Sequence, residues 1–470
     1  MKSVLSAALL GLAAPGLALA APPAPTAEAP RDREKLQIPH EKYVLPNGLE
    51  VILAHDDRLP VVAVNLWYHV GAYHEDPDRT GFAHLFEHMM FQGSKHVPDD
   101  AHIGMLEKLG ATSLNGTTNF DRTNYFETVP SHHLETALWL ESDRMGFLLD
   151  AVTPESLKTQ QEVVKNERRQ TTETAPYGLA DEKAWQALFP APHPYHGAII
   201  GSMEHLDAAT MEDVRNFFRK WYAPSNATLA IVGDFDEAEA KRLVEKYFGS
   251  LPSAPRPEAP KVEKVALDRE VVIRHDEQVA SLPKVSVSWL TPAFFEPGDA
   301  DADVLAMALS SGKASRLYER LVFDKRLAQS VSAYQQSLGA QSVFTIEAIA
   351  RPGVSTDTLL AEIDAILDDV RENGVTEEEI VRARNKFETG KIAGLQSVGG
   401  FGGRADLLQS YNHFLGEPDR LAFDLARYDE VTPESVRKFA RETLDPQRRV
   451  VLHAVPTQSG PSAAATQGGR

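Results

Sequence analysis

The sequence predicts an α+β protein of two duplicated domains, each a mostly antiparallel sheet with helices packed on one face. Three observations carry this. A constant offset of 222 residues lays Val214-Arg215-Asn216-Phe217-Phe218-Arg219 on Val436-Arg437-Lys438-Phe439-Ala440-Arg441 and Pro224 on Pro446. Each copy reads as an amphipathic helix, a turn and an apolar strand, Ala227 to Val232 in one and Arg449 to Val455 in the other. Between them, Pro252, Pro255, Pro257 and Pro260 stand near the middle of the chain, and so dense a proline stretch continues neither helix nor sheet. The division expected is an N-terminal domain at 38–250, a linker at 251–261 and a homologous C-terminal domain at 262–456.

The ends read differently. Lys2, an apolar run through Leu10 and a small-x-small finish at Ala18-Leu19-Ala20 form a secretory signal peptide cut after Ala20, which points to the periplasm. Residues 21–37 are a Pro- and Ala-rich flexible leader, and 457–470 form a disordered tail of Ser, Gly, Ala and Gln. No other apolar run is long enough to span a membrane. The chain has no cysteine, which rules out disulfides and thiolate ligands. Asp plus Glu number 67 against 48 Lys plus Arg, a balance that argues against a nucleic-acid surface.

The N-terminal domain carries the chemistry. His84-Leu85-Phe86-Glu87-His88 lies on a segment that reads as helix, with Phe82, Leu85, Phe86, Met89 and Met90 as packing residues and Gly93 as the stop. Histidines four residues apart share a helix face and can hold one metal ion, and Glu87 is placed to take a proton from a water on it. The order is that of the inverzincin signature. Two histidines and a glutamate on a half-exposed helix face are the bland alternative. A third ligand is needed, and the helix expected from Thr153 to Gln170, with Thr153 as N-cap and Pro154 at its first position, supplies two candidates, Glu162 and Glu167. Spacing does not choose between them. Asn115-Gly116-Thr117-Thr118-Asn119-Phe120-Asp121-Arg122-Thr123-Asn124-Tyr125-Phe126-Glu127 reads as a Thr- and aromatic-rich strand pair, in which Asn115 before Gly116 is in itself a turn signal.

With these motifs, and with Val163-Val164-Lys165-Asn166-Glu167-Arg168-Arg169, the chain resembles the pitrilysin and mitochondrial-processing-peptidase family of inverzincin zinc peptidases from about Tyr43 to Val455. The resemblance implies two domains closing around a cleft, one zinc ion per chain on His84, His88 and Glu167, and Glu87 as general base. It implies that Asn115 holds a substrate carbonyl on a strand edge to which the peptide adds. The family's supporting carboxylate seven residues before the third ligand is Gln160 here, so that role is lost or falls to Glu162.

The second copy departs from the first. Sliding Gly93 onto Gly312 puts Asp303, Ala306 and Met307 opposite His84, Glu87 and His88, so no second zinc site is expected. In the similar enzymes an arginine and a tyrosine follow a helix like Ser315-Arg316-Leu317-Tyr318 and reach the substrate; here that pair falls on Val322 and Gln329, with Arg326 and Tyr334 nearby but out of register. The chain therefore looks like the zinc-motif-bearing subunit of the bacterial two-subunit type, a heterodimer with a related subunit that supplies the pair, the alternative being a homodimer. Val398-Gly399-Gly400-Phe401-Gly402-Gly403-Arg404 reads as a turn between helices, not a phosphate loop. The expected function is a zinc-dependent metalloendopeptidase acting on unfolded or short peptides; the alternative is a non-catalytic scaffold or peptide-binding subunit of the same fold.

Overall fold

The structure, a computed structural model, describes residues 36–457. The expected signal peptide, all but the last two residues of the leader, and the tail beyond Thr457 lie outside the described residues. Among the described residues, eleven strands form two sheets. The first comprises β1 (Glu41–Val44), β2 (Glu50–His55), β3 (Val61–Tyr68), β4 (Thr112–Thr118), β5 (Thr123–Pro130) and β6 (Ala227–Gly233). The second comprises β7 (Val271–Glu277), β8 (Lys284–Thr291), β9 (Ala328–Gln336), β10 (Ser342–Ala350) and β11 (Val450–Pro456).

Their orders are β1-β2-β6-β3-β5-β4 and β7-β11-β8-β10-β9. Without β1 the two are the same pattern, and each contains one parallel pair, β2 with β6 and β7 with β11, among antiparallel neighbours. The repeated helices also match. Met211–Trp221 and Pro433–Thr443 both start on a threonine, Thr210 and Thr432, whose hydroxyl accepts the N3 backbone N–H while the N3 side chain answers at the cap. The fold is the duplicated α+β architecture that the repeat predicts.

Alternation within the strands explains how each sheet is covered. In β3, Val62, Val64, Leu66 and Tyr68 join Leu85, Phe86, Leu138 and Val214 in the main core of the first half. In β8 and β10, Val285, Val287, Trp289, Phe344, Ile346 and Ala348 do the same with Leu305, Ile363, Leu367 and Val436 in the second. Ile52, Ala54, Ala63, Ala230 and Val232, on the opposite face of the first sheet, are apolar as well. They are covered by Ala405, Leu408 and Tyr411, from the helix Arg404–Leu415 of the second half. Conversely Val343, Leu452 and Ala454 of the second sheet meet Ala180, Ala184 and Leu188 from the helix Gly178–Leu188 of the first half. Each half packs its own helices on one face and receives a helix from the other half on the second.

Polar contacts fix this exchange. Gln409 donates to the backbone oxygens of Asn65 (2.8 Å) and Thr228 (2.7 Å), and Tyr177 donates to Leu282 O at 2.8 Å. The Pro-rich stretch takes no helix or strand from 252 to 268. It is pinned at both sides: Tyr73 donates to Pro260 O at 2.7 Å, and Gln341 bonds Val265 N and O. The Gly-rich segment does join two helices, Glu377–Gly394 and Arg404–Leu415. It lies on the first sheet so closely that a Cβ at Gly399 would come within 2.7 Å of Ala63 Cβ.

Candidate metal centre

The motif helix runs Phe82–Met89, and its inner face buries Phe82, Leu85, Phe86 and Met89. Phe86 packs on Phe217 and Tyr222 with ring centroids 4.8 and 5.4 Å apart. The helix opens at Gly81, whose φ of 89° suits glycine and which has no side chain to cap it. The cap comes from Glu75 instead: one carboxylate oxygen accepts Gly81 N at 2.9 Å and the other Ala83 N at 2.7 Å. Burial pushes the Glu75 carboxyl up to about 8 despite those bonds. Gly81 lies back to back with Gly201, since a Cβ on it would stand 2.6 Å from Gly201 Cα.

The second helix, Pro154–Arg168, starts at the expected Thr153 cap and passes into a π turn at Arg169–Glu173, so the α-helix ends two residues before the expected Gln170. Leu157, Gln160, Val164 and Arg168 define its buried face. Arg168 donates to Gly201 O at 2.9 Å and to Glu182 at 2.9 and 3.2 Å, which ties the Glu167 turn to the glycine behind the motif helix. Glu167 faces His84 and His88.

His84, His88 and Glu167 each bring one ligand atom into a group no wider than 4.8 Å, the one such group among the described residues. Glu167 carboxylate oxygens stand 3.7 Å from His84 Nε2 and 3.3 Å from His88 Nε2. Two ligands of a tetrahedral zinc, each at roughly 2.1 Å, lie about 3.4 Å apart, so the donor set fits that ion. The protonation states fit as well. Burial, helped by the neighbouring His88, lowers the His84 pKa to about 4, and the close approach of His88 holds the Glu167 carboxyl below its usual range. Neutral imidazole and ionised carboxylate are the forms a metal takes. His84 Nδ1 is buried without a hydrogen-bond partner, and Gln160 stands buried two turns before Glu167 on the same face.

Glu87 rises beside the two histidines, and Thr118 of β4 donates to its Oε2 at 2.7 Å. Burial raises the Glu87 carboxyl while the Thr118 bond and His88 oppose the rise. Asn115 is exposed on β4, with its Oδ1 accepting Gly116 N at 2.9 Å, so its amide NH₂ is the group that could meet a substrate carbonyl. Glu162 is not brought to the site. It points to solvent and pairs with Lys165 at 2.7 Å, because five residues before Glu167 is about 140° around the helix. Two contributors carry no signal of their own: Glu75 belongs to no motif, and Thr118 lies unmarked within the Thr- and aromatic-rich segment. A period-2 reading of β4 would have put Thr118 on the face shared with Gly116.

In the second half, Asp303 stands where His84 would be. It accepts the Tyr428 hydroxyl at 2.6 Å, and burial, aided by nearby Asp299, raises its carboxyl to about 7. Val322 lies in the π turn Tyr318–Asp324 and Gln329 on β9. A cavity of about 380 Å³ opens where the helix Gly178–Leu188 meets the second sheet, lined by Thr171, Trp185, Tyr334 and Glu347 among others. Thr171 follows Glu167 by one turn and donates to its backbone oxygen, so this space opens beside the ligand helix.

Residues 50–186 match the family described as Insulinase (Peptidase family M16), and residues 208–387 match Peptidase M16 inactive domain. The chain belongs to the peptidase M16 family. Among curated M16-like proteins, the zinc protease PqqE of Helicobacter pylori is 29% identical over 363 residues, spanning 76% of this chain and 80% of PqqE. A crystal structure of a protease from the same organism superposes with a TM-score of 0.82 at 26% identity, over 89% of this chain and 100% of that one. The periplasmic protease PqqL of Escherichia coli shares the fold, with a TM-score of 0.73 and 19% identity, but the match spans 88% of this chain and 47% of PqqL. Among the described residues no helix is long and apolar enough to cross a membrane.

Proposed function

We propose that this M16 chain is the zinc-bearing subunit of a metalloendopeptidase that hydrolyses unfolded or short peptides. The observation that supports it is the convergence of His84, His88 and Glu167 beside a Glu87 already held by a hydrogen bond. Zinc bound there would supply Lewis-acid polarisation of a water and of the scissile carbonyl. Glu87 accepts the proton of the attacking water and returns it to the leaving amine. The peptide adds as a strand to β4, an edge strand of the first sheet, where Asn115 takes one of its carbonyls. Relatives named as zinc proteases agree with this reading.

We place the zinc-binding catalytic domain at 38–250 and its non-zinc homologue at 262–456, joined by 251–261, in agreement with the two sheets. Val322 and Gln329 offer no cation and no phenol to a substrate, which supports a related subunit that supplies the arginine–tyrosine pair, the alternative being a homodimer. The match to only about half of PqqL is in keeping with a partner of similar size, and that protein's periplasmic location with the expected signal peptide. The same two residues, with the match to an M16 domain described as inactive, favour a second reading: a scaffold or peptide-binding subunit without turnover. A quenched-peptide cleavage assay on the chain isolated with whatever co-purifies, with chelator and zinc add-back, tests this. Activity lost to chelator, restored by zinc and abolished by Glu87→Gln is expected; no zinc-dependent cleavage would leave the scaffold.

A further inference from the structure

The β4 strand does more than end the sheet. Gly116 and Thr118 share the face that rests on the motif helix, so close that a Cβ at Gly116 would stand 3.2 Å from Glu87 Cγ and 2.9 Å from Phe91 Cε2. Thr118 Oγ1 lies 2.7 Å from Glu87 Oε2 and 3.3 Å from Thr123 Oγ1. Thr123, fully buried, donates its own hydroxyl proton to Val70 O at 2.9 Å. A hydroxyl has one proton to give and a carbonyl oxygen none. With the Thr123 proton committed to Val70, the Thr118 hydroxyl can only donate, and Glu87 is the nearer and better acceptor. The Thr118–Thr123 contact then carries no proton, and Thr118 spends its one hydroxyl proton on a single oxygen of the Glu87 carboxylate.

We infer that Thr118 is a positioning residue for Glu87: it clamps Oε2 and so fixes the carboxylate's rotation, leaving Oε1 as the oxygen that takes and returns the proton. A glutamate side chain turns about three bonds, and an unanchored one spreads over several rotamers, few of which meet a water. Because Thr118 sits on the edge strand β4, the strand that would receive the peptide also sets the base. The activity arm rests on the peptidase reading; the structural arm does not.

The test compares wild type, Thr118→Val and Thr118→Ser. Valine keeps the branched shape that suits a strand and removes only the hydroxyl, whereas serine keeps the hydroxyl. All three are purified as the wild type is, with any co-purifying subunit, and loaded with zinc. The expected result is one zinc per chain throughout, a fall in kcat of roughly ten- to a hundredfold for Thr118→Val with KM unchanged, and near-native kcat for Thr118→Ser. Crystal structures of the zinc-loaded proteins should show the Glu87 carboxylate turned or spread in the valine variant alone. Native kcat in Thr118→Val, a loss shared equally by serine, a loss of zinc, or an unmoved Glu87 would each overturn the inference. If the wild type cleaves nothing, the peptidase reading falls by itself, and the Glu87 conformation in the crystals still decides the role of Thr118.

Discussion

Replacing Glu75 by alanine should loosen the motif helix and, with it, the grip on metal. The helix spans only 8 residues and begins at a glycine with no side-chain cap. Two of its opening N–H groups, on buried Gly81 and Ala83, are satisfied by Glu75. A buried donor left alone costs roughly 1–3 kcal/mol, so two lost bonds come to about 3 kcal/mol after partial rehydration. His84 follows Ala83 directly in the chain, and fraying at that point would displace the first of the three proposed ligands. If most of the cost falls on the bound state, zinc affinity drops about a hundredfold, since each 1.4 kcal/mol or so is tenfold. Competition against a chromophoric chelator measures this. Glu75→Gln, which keeps one acceptor oxygen, should lose about tenfold. A Glu75→Ala chain that holds zinc within about twofold of wild type, and melts within roughly 1 °C of it, would refute the capping argument.

Glu87→Gln should bind one zinc as wild type does while kcat falls by roughly 10²–10⁴, read by metal analysis beside the peptide assay. Asp303→Asn tests burial in the second half. The folded chain keeps a proton on Asp303 up to about pH 7, whereas the unfolded chain releases it near 3.8, so the folded state binds more protons in that window. Stability is then greatest below the unfolded value and falls as pH rises toward 7, by at most about 4 kcal/mol. Urea unfolding at pH 5 and pH 8 should show that slope in wild type and a shallower one in the variant; equal slopes would count against it. Leu408→Ala, at the centre of the exchanged helix, should cost about 2–5 kcal/mol and lower the melting of both halves together. Two separated transitions would mean that the halves are not coupled through that helix.

Much of this was legible in the residues themselves. The four-residue histidine spacing and the glutamate between them needed only helical geometry, and the 222-residue offset announced the duplication. Glu162 and Glu167 could not be told apart by distance from the motif, and resemblance made the choice. The buried face Leu157, Gln160, Val164 and Arg168 supplies the physical reason, because Glu167 borders it and Glu162 does not. Glu75 carried no signal, since a carboxylate that caps a helix from six residues upstream has no fixed spacing. The exchanged helices were hidden for another reason. Apolar faces at Gly178–Leu188 and Arg404–Leu415 say that each is covered, but nothing local says by which sheet.

That exchange changes what the Pro-rich linker is for. A chain cut there would not yield two modules: each fragment would carry away the lid of the other and bare a strip of apolar strand, Ile52, Ala63 and Val232 on one side and Val343, Leu452 and Ala454 on the other. The two pieces would stay clasped as a non-covalent pair. The stretch from Glu167 to the helix Gly178–Leu188 adds a mechanical side to this, because the third metal-facing residue is spliced within eleven residues to an element seated on the opposite half. Any flexing of one half against the other would therefore tug on the carboxylate, and the stiffness of the clasp would bear on how firmly a metal placed there is held.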